Sequence, residues 1–297
     1  MSTGETQTGA AVLRESGWHR RHNSARFRPG SCGGAAGRRR DRGSTQEIRM
    51  TPEMENAFAA IRSDYGAESI ARVERMLSSG GSSRHPLQRG AKWIMPGLSP
   101  VPWHDPYAYT ELTPVVEALE AAHPAIKEEF NIAWAVRREA FSDYEHYLTR
   151  QEDWQALYLF REGALVEESA AMTPTAYKVL KEFAVDTEKI CPLLECHFST
   201  LLPGAMIDPH CDLWNFSINL HLAVDIPDGC SITVAGQTRS WEEGRCLLFD
   251  YSFEHEARND GTRPRTCLLV DLWHPQTTVP ERKALVALIT EIRRHMG

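Results

Sequence analysis

The 297-residue chain has no apolar run approaching the ~20 residues that cross a bilayer as a helix. Its N-terminus lacks the apolar segment of a secretory signal, and its paired arginines are followed by none that would make them an export signal. There are seven cysteines, an odd number, without a CxxC pair, which argues against a disulfide framework and for reduced thiols. No internal repeat is visible. These absences predict a soluble, cytoplasmic protein with no membrane partner.

Residues 1–49 are almost empty of aliphatic side chains. They carry ten Arg against four Asp or Glu, a balance of +6, so the rest of a chain of net charge −7 carries −13. A segment such as "SCGGAAGRRRDRGST" cannot bury enough apolar surface to offset its ordering entropy. A disordered basic tail over 1–49 is expected, or an upstream extension of a chain that starts at Met50. Arginine clusters can neutralise phosphates, but without interleaved aromatics they are a weak nucleic-acid signal, and no nucleic-acid partner is expected.

From residue 50 onward the composition is that of a globular domain, and a single domain over 50–297 is expected. Its first part, 50–189, is predicted to be mainly helical. "MENAFAAIRSDYGAESIARVERMLSS" has helical spacing up to Gly80-Gly81, and Thr113-Pro114 and Thr173-Pro174 look like helix starts with a threonine cap. After about residue 190 short strands follow one another, joined by turns with Pro, Gly, Asp or Asn, with no helix between them. That texture predicts an antiparallel sandwich or barrel over 190–275. A C-terminal helix over 276–297 should bury Leu285, Leu288, Ile289, Ile292 and Met296 on one face.

Within "PHCDLWNFSINLHLAV" the alternation places Phe216, Ile218, Leu220, Leu222 and Val224 on one strand face. Asn215, Ser217, Asn219, His221 and Ala223 take the other. Facing a lumen, the second set would line a polar site; facing water, it would merely be soluble, and alternation does not say which. His210 and Asp212, two apart, project the same way and can converge on one ion. A third ligand would complete the two-histidine, one-carboxylate set of non-haem Fe(II), with open positions left over. "FDYSFEHEARN" offers His255 just after an apolar strand, and "RPRTCLLVDLW" begins another strand with Arg265. Asp250 and Asp271 read as structural acceptors or as hydrogen-bond partners of the ligands rather than as ligands, Trp241 with Glu242, Glu243 and Gly244 as a turn, and Cys211 and Cys267 as inert small residues.

These stretches, with "FSTLLPG", "PHCDLWN", "HL", "FDYSFEHEARN" and "RPRTCLLVDLWHP" in order from Phe198 to Pro275, resemble the aspartyl/asparaginyl β-hydroxylase family of Fe(II)/2-oxoglutarate dioxygenases. "PGLSPVPWHDP" resembles that family's connector. The resemblance implies a double-stranded β-helix (jelly roll, cupin-like) with flanking helices, mainly β in class. It implies iron on His210 and His255, with Asp212 as a third ligand where the animal members have Gly. A carboxylate there argues against halogenation, which needs that position vacant. Arg265, His221 and Ser199 would contact 2-oxoglutarate, and O2 would complete the cofactor set. Trp214, Asn215, Asn219 and Arg258 are candidate substrate contacts. Asn219 stands where hydroxylases of acidic residues often have Arg, which argues against an aspartyl substrate. The expected substrate is an amino acid, free, carrier-tethered or in a small peptide, hydroxylated at the β-carbon in bacterial amino-acid or natural-product metabolism. The alternatives are a hydroxylase of a lipid acyl chain or other small molecule, or a metal-binding jelly roll that senses without turnover.

Overall fold

A computed structural model describes residues 50–79, 84–144, 148–149 and 152–296, so the predicted tail over 1–49 lies outside the described residues. The described chain opens with two helices, α1 (Pro52–Tyr65) and α2 (Ala71–Ser79), where the sequence predicts one. Gly66, at φ 100°, makes the break; its backbone lies where a side chain would be strained, and its N–H closes the last turn on Arg62. Thr51 caps α1 through the Met54 N–H, with Pro52 in the first turn, where its missing donor is harmless.

Two of the predicted helix starts are present, heading α3 (Thr113–Val136) and α5 (Pro174–Leu180); the short α4 (Glu167–Met172) precedes the latter and α6 (Val279–Met296) closes the chain. Neither threonine caps its helix. Thr113 Oγ1 donates to the Tyr109 carbonyl at 3.1 Å and Thr173 Oγ1 to the Ser169 carbonyl at 2.9 Å. Both hydroxyls tie back to the preceding turn instead. Among the described residues no helix is long and apolar enough to cross a membrane.

Four strands fall in the part expected to be mainly helical: β1 (Trp103–His104), β2 (Ser142–Asp143), β3 (Trp154–Arg161) and β4 (Ala164–Leu165). β3 is the consequential one. "WQALYLFR" is buried on both faces over most of its length, so it lacks the alternation that marks a half-exposed strand. The remaining strands are those the sequence suggests: β5 (Cys196–Leu201), β6 (Met206–His210), β7 (Ser217–Asp225), β8 (Cys230–Val234), β9 (Gln237–Arg239), β10 (Cys246–Phe249), β11 (His255–Asn259) and β12 (Arg265–Trp273).

They form two sheets, the jelly-roll arrangement expected. The larger has the order β1-β10-β7-β12-β5-β3-β2, with β4 paired to β3; the smaller has the order β6-β11-β8-β9. The pairings are antiparallel. Ile218, Leu220, Leu222 and Val224 of β7 join Val115, Val116 and Leu119 of α3 and Leu180 of α5 in one buried cluster. Each such aliphatic side chain contributes about 1.5–3 kcal/mol by leaving water. Helices thus cover the apolar face of the larger sheet, and the polar face is left to look into the molecule. On the other side of the fold, Leu285, Leu288, Ile289 and Ile292 of α6 are buried with Met54 and Phe58 of α1. The Arg72 guanidinium binds both Glu281 oxygens, at 2.7 and 2.6 Å, and so joins α2 to α6.

Candidate metal centre

His210 ends β6 and His255 begins β11, and the two are register partners across the smaller sheet. Their ring centroids lie 4.1 Å apart. Each Nδ1 lies 2.8 Å from the carbonyl two residues upstream, Asp208 for one and Phe253 for the other. A carbonyl can only accept, so each Nδ1 carries the proton and each Nε2 is the unprotonated nitrogen. Asp212 follows β6, with Oδ2 at 3.6 Å from His255 Nε2. One ligand atom from each of the three residues lies within 4.8 Å of the other two. The register slips between His255 and Ala257 of β11, where three steps of β6 from His210 to Ile207 oppose two of β11. β6 therefore carries the extra residue, a device that re-aims a side chain at a site.

The segment 87–93 holds the loops around Leu213 and Glu254 from outside. The Leu213 carbonyl accepts from the backbone N–H groups of Lys92 and Trp93 at 2.7 and 2.8 Å, and the Glu254 N–H donates to the Leu87 carbonyl at 2.7 Å. Gly90 permits this approach: a Cβ there would sit 2.8 Å from the Cβ of Cys211, the residue between His210 and Asp212. None of the six described cysteines, Cys211 and Cys267 among them, is in a disulfide, and all are buried.

Burial pushes the Asp212 carboxyl up to about 8, with Asp271, Glu195 and Asp250 adding to the effect. The side chain is 47% exposed, but that surface opens into the cavity. Burial also pushes His255 down to about 4, against the pull of the Phe253 carbonyl. Two imidazoles that turn Nε2 away from their backbone partners, together with a carboxylate, form a donor set that a divalent cation fits.

The triad lines a cavity of about 420 Å³ that also takes in Arg265, His221, Ser199, Asn219 and Trp214. Arg265, the first residue of β12, is 1% exposed, makes no ion pair among the described residues, and has an Nε without a hydrogen-bond partner. A buried guanidinium in that state fits the distal carboxylate of 2-oxoglutarate, which would supply two parallel charge-assisted bonds. Its Cζ lies 4.6 Å over the ring of Trp241. Trp241 in turn is nearly parallel to His221, at 6.1 Å and 7°, and its Nε1 donates to His221 Nδ1 at 3.4 Å. Burial, then the charges of Arg265 and His255, hold His221 well below the usual histidine range. Ser199 accepts from Trp154 Nε1 at 2.8 Å.

The candidate substrate contacts divide. Trp214 lines the cavity and donates from Nε1 to the Tyr251 hydroxyl at 3.0 Å. Asn219 lines it too, but its amide donates to Asp271 Oδ1 at 2.7 Å. Asn215 does not line it: its side chain accepts from the Met95 N–H and donates to the Met95 carbonyl, a clamp on the connector. Arg258, with its side chain 44% exposed, points away from the cavity, because His255 and Ala257 of the same strand face in. Asp250 is a structural acceptor, bound by the N–H and hydroxyl of Ser252 at 2.9 and 2.6 Å.

Tyr144, Glu195, His197 and Arg293 carry no sequence expectation, Trp241 is expected only in a turn, and Asp271 as a structural acceptor or a hydrogen-bond partner of the ligands; all six line the cavity. Trp241 sits in a turn, as expected, but its ring is 5% exposed and turned inward. Parity could have found three of the six. Glu195 and His197 lie four and two residues before Ser199, and Asp271 lies two after the cavity-lining Leu269. Arg293 comes from α6 and carries no local signal.

A family model described as aspartyl/asparaginyl beta-hydroxylase matches residues 120–275, just over half of the chain. The mouse aspartyl/asparaginyl beta-hydroxylase is 33% identical over 195 residues, covering 65% of this chain and 26% of that protein. The human protein of the same name is 33% identical, covering 65% and 25%. Human aspartate beta-hydroxylase domain-containing protein 2 is 30% identical over 233 residues, covering 74% and 61%. The chain therefore spans between a quarter and three-fifths of the length of these relatives. The matched residues contain the triad, Arg265 and both sheets apart from the two-residue β1, and on that match this chain belongs to the aspartyl/asparaginyl β-hydroxylase family.

Proposed function

We propose that the chain is an Fe(II)- and 2-oxoglutarate-dependent hydroxylase of a small amino-acid-based substrate, acting at the β-carbon. The observation that carries this reading is a buried Arg265, without an ion-pair partner among the described residues, in the same cavity as a His210–Asp212–His255 donor set. Bound iron with O2 would supply the oxidising power, 2-oxoglutarate being oxidised to succinate and CO2 while one oxygen atom enters a C–H bond of the substrate.

The residues divide that work. His210, Asp212 and His255 would hold the ion and leave its other positions to the co-substrates. Arg265 would fix the distal carboxylate of 2-oxoglutarate, backed by the Trp241 ring, with His221 and Ser199 alongside. Trp214, Phe249 and Tyr251 supply apolar walls that keep water from the reacting centre. A cavity of about 420 Å³ must take both 2-oxoglutarate and the group to be oxidised, which supports a small substrate and amino-acid or natural-product tailoring as its setting.

The test is succinate release from the full chain given Fe(II), 2-oxoglutarate and O2. It should be joined to a mass-spectrometric screen of amino acids and short peptides for a gain of one oxygen. Iron-dependent succinate is expected. A chain that binds 2-oxoglutarate and iron but yields neither succinate nor oxygenated product would be a sensor, and this reading would fall.

A further inference from the structure

The cavity has a second polar end. Arg265 and Asp271 lie six residues apart on β12, about 20 Å of extended backbone, so they mark opposite ends of the inner face. At the far end, Asn219 of β7 and Asp271 are register partners, and Glu195 adjoins Asp271 on the other side. Asp271 accepts from the Asn219 amide through Oδ1 at 2.7 Å and from the Glu195 N–H through Oδ2 at 3.1 Å. These bonds place the carboxylate but do not neutralise it.

Three further observations point to an absent ligand. His197, two residues after Glu195, is 4% exposed, and neither of its ring nitrogens has a hydrogen-bond partner. Arg293 of α6 lines the same cavity and makes no ion pair among the described residues, yet it is close enough for its charge to act on both Glu195 and Asp271. Burial pushes Asp271 up to about 7, with Glu195 adding to the effect, and burial raises Glu195 against the pull of Arg161 and Arg293. The far end therefore holds two carboxylates, Glu195 within the field of Arg161 and bonded to Tyr144, beside the Arg293 guanidinium. None of the three groups makes an ion pair among the described residues.

We infer that this end receives a free amino acid as its zwitterion, the ammonium on Asp271 and Glu195 and the carboxylate on Arg293. The inference rests on the hydroxylase reading and narrows its substrate. A residue inside a peptide presents neither charge, so it would leave all three groups unpaired. An acidic side chain entering here would meet two carboxylates. Asn219 cannot form an ion pair with it, and its amide is already engaged by Asp271.

The test uses the full chain loaded with Mn(II) and 2-oxoglutarate, with calorimetric titration of free L-amino acids, their N-acetyl derivatives and their carboxamides. The first titration, of metal and 2-oxoglutarate, checks the hydroxylase reading by itself; failure there removes both conclusions. Given that binding, at least one free amino acid should bind, and blocking either its amine or its carboxylate should weaken it by about tenfold or more, the loss of one charged partner. Arg293→Ala and, separately, Asp271→Asn should weaken the free amino acid to a similar degree, with the affinity for 2-oxoglutarate as reference. Arg293 is partly exposed on a helix, so its variant tests the point even if Asp271→Asn fails to fold. Blocked forms or peptides that bind as well as the free amino acid, or no binding by any free amino acid, would overturn the inference and leave the hydroxylase reading standing.

Discussion

His210 and His255 stand opposite each other on one rung of the smaller sheet, each with its Nδ1 proton given to the carbonyl two residues upstream. One local arrangement, repeated on two antiparallel strands, sets both tautomers at once. It leaves the unprotonated nitrogens to a shared ion, and second partners of this kind raise a ligand's basicity and fix its ring.

His210→Ala or His255→Ala should abolish iron binding and succinate formation, since each removes one of three protein ligands. Asp212→Gly should weaken iron binding by about tenfold or more while leaving the histidine pair in place. Calorimetric titration of iron into each variant measures this, and unchanged affinity would demote the residue concerned.

Gly90→Ala should weaken iron binding without touching a ligand. The added methyl would sit 2.8 Å from the Cys211 Cβ, so the 87–93 segment or the 210–212 segment must shift. Overpacking of this kind costs roughly 1–3 kcal/mol, readable as a lower melting temperature beside the metal titration.

Arg265→Ala should raise the KM for 2-oxoglutarate strongly. The loss is on the order of 2–5 kcal/mol, much of it the cost of a carboxylate left without its charged partner. Iron affinity without 2-oxoglutarate should be retained, and a variant with normal 2-oxoglutarate binding would remove Arg265 from the site.

Asn219→Arg should not create a preference for acidic substrates. A guanidinium at 219 faces its register partner Asp271 and would pair there before any substrate arrives. Competition between acidic and neutral amino acids, scored by oxygenated product, checks this; a clear gain for the acidic ones would mean that Asp271 is not within its reach.

Acid should destabilise the protein through His274, which is 0% exposed and held down to about 3 by burial, then by His104, Arg72 and Arg282. Below the usual histidine value of about 6.5 the unfolded chain binds a proton that the folded chain refuses until about pH 3. Stability is therefore full above that window and falls within it as pH drops, by about 1.4 kcal/mol per pH unit for this one group. His274→Asn should flatten the slope of urea stability against pH, and an unchanged slope would show that His274 does not contribute.

The jelly-roll strands and the His210–Asp212–His255 grouping were legible because both rest on local patterns. Alternation along "NFSINLHLAVD" separates Asn219 and His221 from Ile218, Leu220 and Leu222 whatever the rest of the chain does, and His210 and Asp212 share a side of the chain by spacing alone. Which face of β7 looks into the cavity is not local. It follows from α3 and α5, whose apolar residues cover the Ile218 face and leave the Asn219 face inside. The same holds for Trp241, legible as a turn residue but made a cavity wall by the strands that carry His221 and Arg265 to it. Asn219 read as an open substrate contact until β12 brought Asp271 beside it. Arg293 had no motif at all and joins the site because the apolar stripe of α6 docks on the fold beside Glu195 and Asp271. A period of two or of 3.6 fixes which residues travel together. Only the packing of sequence-distant faces selects what they meet, because that choice depends on burying every apolar face at once.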